Sequence, residues 1–383
     1  MIQQIQVIGD KLIQNNVGIR DQFEYVLEYA LIRMEFEYIS RGNVMEQRKV
    51  MSLGRSSHVI SLPKLWVEMN ELKRGDVVSL EVQRDRSLIV FPGDERRKEE
   101  RKITLYINPK ETETSIVRSI IACYLNGYSS IRLAARNIFS IPQQKAIRRI
   151  AGILYMRILE ADAKSMHITT LVDESKASVV SSVHRMHLIA NSMCRDAFNS
   201  LRDQNAALAK AVYSLDDDVD HFCFFLLRLL RSAAVDSVLA KQLDLDPIDC
   251  LDYQVLVYRI EHVADQAANV ARHMIMLDGE RLTIPDSLVK LIFVSGTEAI
   301  DSYDKAVKSF LSKDVTSCNE IIERQREIEK LGREISSQSF LIPHMNAVAI
   351  CAVCSIRDSI ERIAEWAANI AESVILRSYE ERP

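Results

Sequence analysis

The chain has 383 residues, and at about 150 residues per domain this length predicts two or three domains. Only 11 glycines and 8 prolines interrupt it, which favours mainly helical structure with short loops. The formal net charge of −4 excludes a uniformly basic nucleic-acid-binding protein, so any contact with DNA must come from a local group of Lys and Arg. The sequence shows neither a secretory leader nor a run of about 18 uncharged apolar residues, and its cysteines lack framework spacing; together these features predict a cytoplasmic protein.

The residue pattern of the N-terminal part changes at about residue 46. Residues 1–45 alternate Gln-rich and apolar patches and are predicted to form a helical extension. Residues 46–95 show strand-like alternation around Gly and Pro, which predicts a small β domain with strands at Val77–Val82 and Ser87–Phe91 and a short helix at Leu65–Asn70. A unit of this size buries little surface alone, so a partner chain is expected to complete it.

A mixed-sign charged run after Pro92 leads into a predicted α+β connecting domain over residues 96–172. The periodicity predicts three strands and two helices, in the order strand Ile103–Ile107, helix Thr114–Asn126, strand Ser130–Leu133, helix Pro142–Leu154 and strand Met166–Leu171. No catalytic constellation is visible in this segment.

The rest of the chain is predicted to be helical and internally duplicated. The phrase that begins at Ile260-Glu261 returns one hundred positions later at Ile360-Glu361, each time in the third helix of a triplet. Two tandem three-helix bundles follow, over residues 173–278 and 279–383. Their predicted helices span 173–202, 205–236, 247–277, 285–311, 313–340 and 344–378.

Each copy of the phrase carries two carboxylates on one helical face, Glu261 with Asp265 and Glu361 with Glu365. Like charges four residues apart repel by roughly 0.2 to 0.5 kcal/mol, so the repeated pair suggests an offsetting cation. If the second and third helices are antiparallel, Asp216 and Asp220 would face the first pair. Four carboxylates predict a hard, oxygen-preferring ion such as Mg²⁺, Mn²⁺, Ca²⁺ or iron, with Zn²⁺ a further candidate.

The second bundle departs from this pattern. Its middle helix offers Gln325 and Glu329 where the first bundle has Asp216 and Asp220, and Arg326 stands beside them. Compared with the first bundle, the second has Gln325 in place of a carboxylate and gains the cation Arg326. Glu329, Glu361 and Glu365 are therefore predicted to form a weaker or empty metal site. A solvated acidic face is the alternative for any single pair.

Two families resemble parts of the chain. Gly54–Pro63, followed by Leu72-Lys73-Arg74-Gly75-Asp76, resembles the SpoVT/AbrB-type swapped-hairpin DNA-binding domain. The resemblance implies a homodimer that binds DNA through residues of this domain, and by position these are Arg48, Lys49, Arg55, Ser56, His58, Lys64, Lys73 and Arg74, with Ser57 a further loop donor. A dimerisation module with ordinary solvated charges is the alternative.

The helical triplets resemble the PhoU phosphate-uptake regulators, a pair of three-helix bundles with metal-binding E/DxxxD motifs. Glu261-xxx-Asp265, Asp216-xxx-Asp220 and the Ala-Asn that follows each third-helix motif carry this resemblance. It implies a metal-binding, DNA-binding negative regulator of phosphate uptake and intracellular phosphate homeostasis. The alternative is a dimeric adaptor that does not bind DNA and contacts the ATPase of a phosphate ABC transporter or a sensor kinase.

Catalysis is not expected. The sequence has no nucleophile–base pair, no phosphate-cradling Gly-rich loop and no cofactor fingerprint. A metal-dependent hydrolase that uses the carboxylates is the remaining, weaker alternative.

Overall fold

A computed structural model describes residues 46–54, 57–82, 86–93, 100–108 and 110–379. The chain divides into two compact units between residues 97 and 98. The predicted fold class is confirmed: the structure is mainly α, with a helical-bundle region and small strand hairpins near the N-terminus. Within the described part of the chain, no helix is both long and apolar enough to cross a lipid bilayer. The predicted extension over residues 1–45 lies outside the described residues.

The first unit consists of two hairpins and a short helix. Strands β1 (Met51–Leu53) and β2 (Ser57–Val59) pair antiparallel, as do β3 (Val78–Val82) and β4 (Leu88–Pro92), and helix α1 (Lys64–Met69) lies between the two hairpins. The Leu72–Asp76 turn is closed by Gly75 at φ +102° and by the Lys73 amide, which donates to Asp76 Oδ2 over 2.7 Å. None of the described residues up to position 93 is fully buried.

The second unit begins with a four-stranded sheet and two helices. The elements are β5 (Lys102–Ile107), α2 (Glu113–Leu125), β6 (Ser130–Ala135), α3 (Ile141–Ile153), β7 (Met156–Ala161) and β8 (Ser165–Thr170). The strand order is β5-β6-β8-β7; β5 and β6 are parallel, and the other neighbours are antiparallel. Alternate residues such as Ile131 and Leu133 point into a core shared with α2 and α3.

Strand β7 was not predicted. It follows α3 almost directly, because Tyr155 takes a left-handed conformation (φ +52°) that reverses the chain within two residues. Most of its side chains are exposed or half-buried, since β7 is an edge strand with a neighbour on one side only. The alternation of apolar and polar residues is therefore weak.

Eight helices form the rest of the described chain. They are α4 (Val179–Arg202), α5 (Ala206–Ser214), α6 (Asp216–Val235), α7 (Ser237–Gln242), α8 (Pro247–Gly279), α9 (Asp286–Ser312), α10 (Cys318–Leu341) and α11 (Ala347–Ser378). Asp246 caps α8 through the Asp249 amide, and Pro247 follows at the first helical position, where its missing N–H is not needed.

The prediction of a single helix over 205–236 is wrong. The helix ends at Ser214, and α6 starts again at Asp216 with three aspartates in its first turn. Negative side chains stabilise the positive end of a helix dipole, so this acidic run begins a helix rather than continuing one. The break places Asp216 and Asp220 at the N-terminal end of α6.

Both bundles share one continuous apolar core. Helices α4, α6 and α8 pack together in the first bundle, and α9, α10 and α11 in the second. Third helix α8 packs against third helix α11, and α4 packs against α9. Between α4 and α9, the buried His187 hydrogen-bonds Tyr303 Oη at 3.1 Å and Asp304 Oδ1 at 3.0 Å.

Helix α6 also packs against the α+β segment. Arg228, with only 4% of its side chain exposed, pairs with Glu174 at 2.7 Å. Its guanidinium further donates to the carbonyls of Tyr124, Gly127 and Tyr128 at the C-terminal end of α2. A cation there suits the negative end of the α2 dipole, so one buried arginine holds the α+β segment against the first bundle.

Candidate functional site

Four carboxylates converge where α6 meets α8. Asp216 and Asp220 come from the first two turns of α6, and Glu261 and Asp265 from the middle of α8. Asp216, Asp220 and Glu261 each lie close enough to Asp265 for their charges to interact. Ligand atoms within 4.8 Å of one another are found for Glu261, His262 and Asp265. Helices α6 and α8 pack against each other, and a metal site formed by all four carboxylates remains a prediction.

The protonation behaviour of the cluster reflects crowding. Burial first, and then the neighbouring carboxylates, raise the pKa of Glu261 to about 8 and that of Asp220 to about 7. The same two causes raise the pKa of Asp216, and loss of surrounding water raises that of Asp265. At neutral pH Glu261 is therefore largely protonated and Asp220 about half protonated, because the cluster does not stabilise a full set of negative charges.

Two further residues at the cluster were missed by the sequence reasoning. His262 has a ring nitrogen within 4.8 Å of carboxylate oxygens of Glu261 and Asp265. Its Nδ1 lies 2.8 Å from Glu261 Oε2. Arg149 of α3 pairs with Asp217 at 2.7 Å and so borders the cluster. His262 stands between the two acids in sequence, whereas nothing in the sequence links Arg149 to Asp217.

The donor set fits a divalent cation. Carboxylate oxygens are the ligands of Mg²⁺, Mn²⁺ and Ca²⁺, and an added imidazole suits Mn²⁺, iron or Zn²⁺. A cation there would favour the ionised forms of the carboxylates, and so oppose both the burial and, for Asp216, Asp220 and Glu261, the repulsion that raise their pKa values. Glu261, His262 and Asp265 would hold it, and the carboxylates of Asp216 and Asp220 would add negative charge nearby.

The second bundle is built differently. Glu361 comes from α11 and is under the electrostatic influence of Glu329 from α10. The Gln325 amide donates to Glu329 Oε1 over 3.2 Å, and Glu365 is exposed. Burial raises the pKa of Glu361, but Arg357 and Arg333 oppose that rise.

The expected role of Arg326 is wrong. Its guanidinium pairs with Glu323 at 3.0 Å on the exposed side of α10, away from Glu361. The cation beside Glu361 is Arg357, one turn earlier on the same helix. The sequence contained a signal for Arg357, because the matching position of the first bundle, one hundred residues earlier, is the uncharged Val257.

The described DNA-binding candidates are all exposed. They are Arg48, Lys49, His58, Lys64, Lys73 and Arg74; Arg55 and Ser56 lie outside the described residues. Arg48 pairs with Glu46, and Lys64 lies 3.5 Å from Glu68. Ser57 and His58, expected in a loop, belong to strand β2.

The helical part of the chain matches a known domain family. Residues 183–274 and 295–374 each match the PhoU domain family model. The chain therefore contains two segments that are similar to the PhoU domain, its first and second PhoU-like domains. Both acidic phrases lie inside the matched segments, so the candidate site belongs to the first PhoU domain and Glu361 to the second.

Three further comparisons complete the picture. A model for the bacterial antitoxin MazE (antidote–toxin recognition) matches residues 52–100, and the predicted AbrB-like assignment there is confirmed. The chain is similar to PhoU from Pseudomonas aeruginosa at 22% identity, covering 52% of this chain and 96% of that one, with a TM-score of 0.42. It is also similar to the phosphate transport system regulatory protein PhoU from Streptococcus pneumoniae at 14% identity, with coverage of 54% and 95% and a TM-score of 0.44. No curated protein matches the sequence.

Proposed function

We propose that the protein is a metal-binding, DNA-binding regulator of phosphate uptake that acts negatively on phosphate transport and metabolism. The observation that carries the proposal is the cluster of Asp216, Asp220, Glu261 and Asp265 inside a PhoU domain, because the pKa values of these carboxyl groups are raised in a way that a cation would offset. The phosphate part rests on the family, since PhoU proteins regulate phosphate uptake.

The proposed metal binding predicts that the protein loses its bound ion when carboxylates of the cluster are replaced. Purified protein reconstituted with Mn²⁺ and dialysed should retain metal by elemental analysis, and Glu261→Ala with Asp265→Ala should remove it. Glu280→Ala with Asp286→Ala removes the same charge elsewhere in the helical part and serves as the control. A wild-type protein that retains no Mn²⁺ contradicts this part of the proposal.

The DNA part rests on the MazE-like segment and its exposed basic residues. Met51, Leu53, Leu80 and Val82 are more than half exposed in the hairpins, a patch of the kind that another chain covers. A dimer formed there would carry two copies of Lys73 and Arg74 on its surface. Backbone phosphates are the groups that such lysines and arginines neutralise.

A gel shift with DNA from phosphate-transport promoters tests this part. Lys73→Ala with Arg74→Ala should weaken binding and reduce the slope of log K against log salt concentration by about two per chain, because each phosphate contact contributes roughly 0.9 to it. Lys145→Ala with Arg148→Ala, an equal charge change on exposed positions of α3, should leave the slope unchanged.

The dimeric adaptor remains the second candidate function, and one observation favours it. Arg48 and Lys64 already pair with acids of their own unit, which lowers the charge available for DNA. A protein that ignores all DNA at low salt, yet binds the ATPase of a phosphate transporter or a sensor kinase, would establish the adaptor instead.

A further inference from the structure

The second PhoU domain supplies its own cation at the acidic phrase. Arg357 Nη1 lies 3.9 Å from Glu361 Oε1, and Nη2 lies 2.8 Å from Asp358 Oδ1. The side chains of Arg357 and Glu361 are 24% and 29% exposed, so this pair is partly shielded from water. Screening by solvent is weaker there than for the fully exposed pairs of the same domain.

The facing helix leaves room for this pair. At Gly332 of α10, an added Cβ would lie 2.0 Å from Glu361 Oε1 and 3.3 Å from Arg357 Cδ. The Gly332 backbone is helical, so its turn geometry does not require a glycine. Close approach of the Glu361 carboxylate and the Arg357 stem explains the glycine instead.

The other groups around Glu361 balance its charge. Glu329 adds a carboxylate, which accepts a hydrogen bond from the Gln325 amide. Arg333 adds a second guanidinium that favours the ionised form of Glu361. Two arginines therefore stand near Glu329, Glu361 and Asp358, whereas in the first domain Glu261 and Asp265 share the His262 imidazole and interact with the charges of Asp216 and Asp220.

The internal duplication shows which position separates the two domains. The residue one hundred positions before Arg357 is Val257, which is fully buried in the apolar core. Valine offers no charge, so at this position the first domain has no internal counterion for Glu261. The same helical register thus holds an apolar side chain in one domain and a guanidinium in the other.

We propose that Arg357 is the built-in counterion of the second PhoU domain and takes the place that a metal ion takes in the first, so that each chain binds a single metal ion. The count of one per chain rests on the proposed function of the first domain. The exclusion of metal from the second domain by Arg357 stands by itself.

The test introduces an acid in place of Gln325, both with Arg357 present and with Arg357 replaced. The full chain is saturated with Mn²⁺ alone and dialysed, and Mn²⁺ per chain is measured by elemental analysis. Gln325→Asp should retain one Mn²⁺, and Gln325→Asp with Arg357→Val should retain two. Gln325→Asp with Arg326→Val, which removes an arginine that faces Glu323 instead, should retain one.

Two results would overturn the proposal. One is a second Mn²⁺ in Gln325→Asp while Arg357 is kept, and the other is a single Mn²⁺ when Arg357 is replaced. Arg357→Gln keeps much of the side-chain length without the charge and should give the same gain as Arg357→Val. An unchanged thermal melt in circular dichroism establishes that each variant is folded.

The same series in a Glu261→Ala, Asp265→Ala background separates this proposal from the proposed function. In that background we expect Gln325→Asp to retain no Mn²⁺ and Gln325→Asp with Arg357→Val to retain one. Gln325→Asp with Arg326→Val should retain none. If the first domain binds no metal, the wild-type chain already retains none, yet the Arg357 variant still gains one ion over Gln325→Asp. A gain that appears only when the first site is intact would contradict an independent second site.

Discussion

Individual side chains decide how each PhoU domain handles its negative charge. Sequence spacing was enough to bring Asp216, Asp220, Glu261 and Asp265 together as a hypothesis, because helical periodicity fixes which residues share a face. Arg357, four residues before Glu361 on the same helix, was missed as its neighbouring cation, although the matching position of the first domain is the uncharged Val257. Arg326, which looked equivalent in sequence, pairs with Glu323 on the exposed surface of α10.

His187 predicts a pH dependence of stability. Burial lowers its pKa below the usual 6.5 despite hydrogen bonds to Asp304 and Tyr303. Below pH 6.5 the unfolded chain binds a proton that the native imidazole resists, so the free energy of unfolding should fall as pH decreases, by on the order of 1 kcal/mol at pH 5.

Urea denaturation between pH 7.5 and 5 measures this effect. His187→Gln should lose the pH-dependent part, whereas His184→Gln, an exposed position one turn earlier, should keep it. The hydrogen bonds from Lys308 and His187 outweigh burial and hold the pKa of Asp304 below its usual value, so Asp304 does not titrate in this range. Equal pH slopes in wild type and His187→Gln would refute the assignment.

At the scale of elements, the sequence predicted most helices and missed the features that depend on tertiary contacts. Pro247 after Asp246 marks the start of α8 in both the sequence and the structure. The break at Leu215 and the edge strand β7 were missed. Leu215 is neither Gly nor Pro and has no side-chain cap, and β7 is an edge strand with a single neighbouring strand.

Arg228 should matter more to stability than its neighbours on α6. Its replacement by Met leaves Glu174 buried without its cation and the α2 carbonyls without their donor. We expect a loss of about 3 to 5 kcal/mol in the free energy of unfolding, the range for breaking a buried pair.

Chemical denaturation of Arg228→Met beside Arg231→Met checks this. Arg231 also reaches the end of α2, at Leu125 O over 3.2 Å, but it is exposed, so its loss should cost at most about 1 kcal/mol. Similar small losses for both variants would mean that Arg228 does not hold the α+β segment in place.

At the scale of the whole molecule, two near-identical phrases have different chemistry. The duplication gave both PhoU domains the same three-helix architecture, with α8 and α11 packed against each other at the centre. One copy gathers carboxylates that raise the pKa of Glu261, and the other pairs its glutamate with an arginine from its own helix. A single chain thus combines a candidate metal site with a charge-balanced counterpart.

The most direct test of the metal assignment is the anomalous difference map of a crystal of the full chain soaked in Mn²⁺. The account predicts a peak among Asp216, Asp220, Glu261 and Asp265 and none beside Glu361. An empty first domain, or equal peaks in both domains, would contradict it.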